Sequence, residues 1–131
     1  MSTIFTKIVN KEIPCHLIKE DDRFIAFLDV MPLVEGHVLV IPKQEVDYIF
    51  DLDPELLGDL MKFAQTIAPA IMKAIPCKKV GVAVIGLEVL HAHVHLVPMN
   101  RMLDINFSQE KMNLSAESLA KTAELIRSFL L

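Results

Sequence analysis

His91, His93 and His95 alternate with apolar residues in Val89-Leu-His-Ala-His-Val-His-Leu-Val-Pro98, which holds three of the chain's five histidines. Period-two alternation predicts a strand over His91–Val97, with the imidazoles on one face and Ala92, Val94 and Leu96 turned to a core. Neighbouring imidazoles on that face would stand about 6.6 Å apart, and Pro98 should end the pairing. Imidazolium groups at that spacing repel, so each histidine favours its neighbours' neutral form, the form that attacks electrophiles and binds metals. Two chemistries follow. In the first, neutral His93 attacks phosphorus, while its neighbours donate to the non-bridging oxygens and an acid protonates the departing atom. In the second, a His-x-His pair ligates zinc or iron, with His37 or Glu88 completing the set. Spacing alone leaves both open.

Such a strand needs neighbours. Ile4, Phe5, Ile8 and Val9 have helical spacing. Short strands are expected at Cys15 to Glu20, Phe24 to Leu28, His37 to Pro42 and Val80 to Ile85, with a Pro32/Gly36 loop between the second and third. Asp53 can cap a long helix, with Pro54 in its first turn and Pro76 as its stop. Its apolar stripe runs through Leu57, Leu60, Met61, Ala64, Ile67, Ala68, Ile71 and Ile75, and Pro69 should kink it. Ser115 can cap a last helix carrying Leu119, Ala123, Ile126 and Leu130. Five mostly antiparallel strands with helices on one side make an α+β domain.

At 131 residues, 53% hydrophobic and 23% charged, the chain suits one domain, residues 1–131, with a self-sufficient core. A net charge of −4 without a basic stripe excludes a nucleic-acid polymer as the expected partner. No apolar run approaches the ~20 residues of a membrane span, and the first residues lack the apolar core of a signal peptide. Cys15 and Cys77 form no Cys-x-x-Cys pair. A cytoplasmic protein with free thiols, and no membrane partner, is the expectation.

His91-Ala-His-Val-His95-Leu-Val resembles the signature of the histidine triad (HIT) family, His-x-His-x-His-x-x with apolar residues between. Thr3-Ile-Phe-Thr-Lys-Ile8, Lys11-Glu-Ile-Pro14, Glu20-Asp-Asp-Arg23, Ala26-Phe-Leu-Asp29 and His37-Val-Leu-Val-Ile-Pro-Lys43 resemble further family segments, in order and spacing. The resemblance runs from about residue 3 to 99 and leaves 100–131 as a helical extension. It implies a HIT-like fold: a five-stranded sheet, one long helix and a C-terminal helix. It also implies a homodimer with a sheet continuous across two copies, and a purine nucleotide as ligand with no cofactor. The reaction would cleave the bond between AMP and a leaving group through a nucleotidyl-histidine. In that scheme His93 attacks the α-phosphorus, His91 and His95 contact the phosphate or orient the nucleophile, and His37 joins their network. Asp29 binds ribose hydroxyls, and Ile4, Phe5, Ile8, Phe27, Val30 and Leu39 line the base pocket. Taken alone, Asp29 also reads as a turn residue, His37 as a satisfied buried histidine, and the apolar six as ordinary core.

Three departures alter the donor set. Glu88 stands where many members carry Ser, Leu87 where they carry Gln, and apolar Val82-Ala-Val-Ile-Gly86 has no equivalent of their Asn. Glu88 then becomes a candidate proton donor to the leaving group, or else an ordinary turn residue. A nucleotide-binding regulator with weakened catalysis is one alternative, and a metal-dependent enzyme using the His-x-His pair is another. Thr3, Thr6 and Glu45 occupy the places of a structural zinc's ligands in some relatives, so no metal is expected there.

Overall fold

The computed structural model describes residues 2–130. Helix α1 (Ile4–Val9) is capped by Thr3, whose hydroxyl accepts the Thr6 N–H. Strands β1 (Leu17–Glu20), β2 (Phe24–Leu28) and β3 (Val38–Pro42) follow. Helix α2 (Pro54–Ala74) starts at its Asp53 cap and continues past Pro69. Strands β4 (Lys79–Ala83) and β5 (Val94–Met99) come next, and helix α3 (Ala116–Ser128) starts at its Ser115 cap. Every pairing in the five-stranded sheet, ordered β1-β2-β3-β5-β4, is antiparallel.

Alternation sorts the strands onto two faces. Phe24, Ala26, Leu28, Val38, Val40, Val94 and Leu96 meet α2 and α3 in the larger core. Ile25, Phe27, Leu39 and Ile41 meet Phe5 and Ile8 of α1 on the other. Helices therefore cover both faces, not one. Both faces of the central strands being covered explains why β2 and β3 are continuous apolar runs, buried at every position. The α2 stripe is also rotated from the expected one: Phe63 and Ala70 are buried with Leu60, Ala64, Ile67 and Ile71, while Met61 is exposed.

The histidine strand differs most from expectation. Pairing begins at Val94, so His91 lies ahead of β5, and it continues past Pro98 to Met99. Pro98 lies past the last β3 partner, Leu96, where β5 pairs with β4 alone, the kind of edge position that tolerates proline. The rings of His93 and His95 tilt together to 4.8 Å between centroids, closer than the spacing expected from the strand rise.

Candidate active site

Four histidines, His37, His91, His93 and His95, are buried, and each has a partner that fixes its tautomer. Leu33 N–H donates to His37 Nδ1 at 3.1 Å, so the neutral His37 ring carries its proton on Nε2. That Nε2–H donates to His95 Nδ1 at 2.9 Å, which leaves the His95 proton on Nε2. His93 Nδ1 lies 2.7 Å from the carbonyl oxygen of His91, which can only accept, so Nδ1 holds the proton and Nε2 a lone pair. His91 likewise donates Nε2–H to Pro42 O at 2.8 Å and accepts at Nδ1 from the Thr3 hydroxyl at 3.1 Å. No buried side-chain polar atom among the described residues lacks a partner, so the two unbonded Nε2 atoms are the ones open to solvent. A lone pair on His93 thus stands beside an N–H on His95.

Burial favours the neutral form of His37, His91 and His95. Desolvation, with smaller contributions from Lys111 and His93, pushes His37 down to about 4. Burial, then His37, His93 and Lys111, pushes His95 down to about 3. His91 is lowered too, chiefly by burial, and burial raises the Asp29 carboxyl.

His93 and His95 line a pocket of about 500 Å³. Ile4, Phe5, Asp29, Val30 and Leu39 share its wall, whereas Ile8 and Phe27 lie in the core beneath, with Phe27 edge-on to Phe5 at 5.6 Å. His37 and His91 sit behind the wall as supports for the rings that face it. Asp29 accepts the Met31 N–H at 2.9 Å and turns its second oxygen to 3.8 Å from His37 Nε2. Glu88 lies exposed at the pocket mouth. Two wall residues come from the segment after Asn100, where the sequence carries no periodic signal: Phe107, edge-on to His95 at 4.6 Å, and Lys111.

Asp29, His37 and His95 bring one potential ligand atom each within 4.8 Å of one another. The donor set does not suit a metal. The His37 nitrogen on that side is protonated, because Leu33 N–H already occupies the other. At Thr3, Thr6 and Glu45 the structure shows a hydrogen-bond cluster instead. Glu45 accepts from the Thr6 hydroxyl and the Thr3 N–H, while the Thr3 hydroxyl holds His91.

The fold and the site define a small α+β protein whose buried histidines gather at one pocket. The HIT domain profile matches residues 10–102. An uncharacterized HIT-like protein of Borreliella burgdorferi is 34% identical over 122 residues, covering 87% of this chain and 88% of that protein. The adenosine 5′-monophosphoramidase of Saccharomyces cerevisiae is 36% identical over 96 residues, covering 72% of this chain and 61% of the yeast protein. Among solved structures, a Bartonella henselae HIT-like protein described as involved in cell-cycle regulation superposes with a TM-score of 0.83 at 34% identity, covering 97% and 95% of the two chains. The chain belongs to the HIT family.

Proposed function

We propose that this protein hydrolyses, or transfers from, the bond between the α-phosphate of a purine nucleoside monophosphate and a leaving group, with His93 as nucleophile. The complementary tautomers of His93 and His95 carry the reading, because phosphoryl attack needs a lone pair and a donor side by side. His93 Nε2 forms a bond to phosphorus while His95 Nε2–H donates to a non-bridging oxygen. The phosphorus–leaving-group bond breaks, and the departing atom takes a proton from Glu88 at the mouth of the pocket. Water then attacks phosphorus and gives a proton to the Glu88 carboxylate, the N–P bond breaks with its electron pair returning to His93 Nε2, and the nucleotide leaves. Asp29 accepts from the ribose hydroxyls, with Ile4, Phe5, Val30 and Leu39 against the base. The activity named for the yeast relative, adenosine 5′-monophosphoramidase, supports this substrate class.

We further propose a cytoplasmic homodimer. The edge strand β4 presents unpaired backbone groups beside an apolar groove of about 360 Å³ lined by Met61, Ala64, Ala68, Val80 and Val82.

Hydrolysis of adenosine 5′-phosphoramidate by metal-free protein tests the reading. Turnover should disappear in His93→Ala while AMP still binds; turnover surviving that change would overturn the nucleophile assignment. Glu88→Gln should slow substrates with poor leaving groups more than activated ones, and equal slowing would remove Glu88 from the acid role.

A further inference from the structure

The pocket has an unusual charge balance for an anion site. Its wall carries two carboxylates, Asp29 and Glu88, and a single lysine or arginine, Lys111. Of the imidazoles that face it, His95 is held neutral because its Nδ1 accepts from His37, whose own Nδ1 accepts from Leu33 N–H. A phosphoryl group entering this pocket meets N–H dipoles and two carboxylates but only one lysine or arginine. Lys111 is half-buried there and makes no salt bridge or side-chain hydrogen bond among the described residues. It is also tethered. The next residue, Met112, donates its N–H to Pro32 O at 2.8 Å, and Phe107 packs against His95 four residues earlier. The lysine charge reaches the catalytic groups, lowering His37 and His95 and opposing the burial that raises Asp29.

We propose that Lys111 is the cation that offsets phosphoryl charge in this pocket, so that the segment from Asn100 to Ser115 makes the site select nucleotides over nucleosides. The assignment rests on the nucleotide reading above and adds a recognition residue to it. An ammonium on a four-carbon stem suits this task, because it can follow the phosphoryl oxygens as charge moves from ground state to transition state. Phe107 meanwhile holds the segment against the ring that donates to those oxygens, and so places the lysine.

Calorimetric titration with AMP and with adenosine, on the native chain and on Lys111→Met and Lys111→Arg, tests this. The native chain should prefer AMP. Lys111→Met should weaken AMP binding by about 10-fold, the loss expected for one charged hydrogen bond. It should leave adenosine within about twofold, and Lys111→Arg should keep most of the preference, since the charge remains. If Lys111→Met retains the native preference, or loses AMP and adenosine equally, the role of Lys111 is overturned while the nucleotide reading stands. A native chain that binds neither ligand overturns the nucleotide reading, and the lysine assignment with it.

Discussion

At the scale of single residues, the site works by assigning protons. A neutral imidazole has one donor and one acceptor, so a partner at one nitrogen decides what the other can do. Leu33 N–H therefore acts on the pocket at two removes, through His37 and then His95. His37→Phe cuts that relay. His95 Nδ1 loses its donor and the ring becomes free to put its proton on the wrong nitrogen. We expect kcat to fall on the order of 100-fold with KM changed little. Nitrogen NMR should show mixed tautomers at His95 in that variant, and a single retained tautomer would mean that the relay does not set it.

At the scale of elements, backbone carbonyls matter as much as side chains. The end of β3 supplies Pro42 O to His91, and His91 O in turn holds His93, so the residues ahead of β5 are fixed before the strand begins. Helix α1 closes the set, because its Thr3 cap residue also donates to His91. Gly36 permits the tight return into β3. Its φ of +90° disfavours any side chain, and a Cβ there would sit 2.7 Å from Ile75 Cγ1. The β4 edge and the α2 groove carry the dimer proposal. Val82→Arg, a change at a half-exposed position on that edge, should give a monomer by sedimentation equilibrium with melting temperature and circular dichroism preserved. A native chain that sediments as a monomer would remove the proposal.

At the scale of the whole molecule, burying His37, His91 and His95 makes stability depend on pH. His37 and His95 have folded pKa values of about 4 and about 3, below the ordinary 6.5, so between those values the unfolded chain binds more protons. Stability is thus full above 6.5 and is lost as pH falls toward 4. For His37 alone the loss between pH 7 and pH 5 is about 2 kcal/mol. Asp29, raised by burial, contributes with the opposite sign. Urea midpoints at the two pH values measure the net effect, and a midpoint unchanged at pH 5 would mean that the buried imidazoles titrate freely.

Much of this was legible in the order of residues. The strands, the caps at Asp53 and Ser115, and the family signature are local patterns, and local patterns follow from backbone periodicity and short-range hydrogen bonding. The signature also marked His93 and Asp29, because their neighbours in sequence are their neighbours in the motif. Tertiary structure decided the rest. That His91 supports rather than lines the pocket depends on Pro42 O, forty-nine residues away in sequence. That α1 covers the second face, and that Ile8 and Phe27 lie under the wall, depends on how the sheet is layered. Phe107 and Lys111 come from a stretch without periodicity, placed by contacts to Pro32 and His95 that no spacing rule encodes. Sequence specifies which atoms can donate or accept, but the proton each histidine holds depends on partners that only the folded chain brings within 3 Å or so.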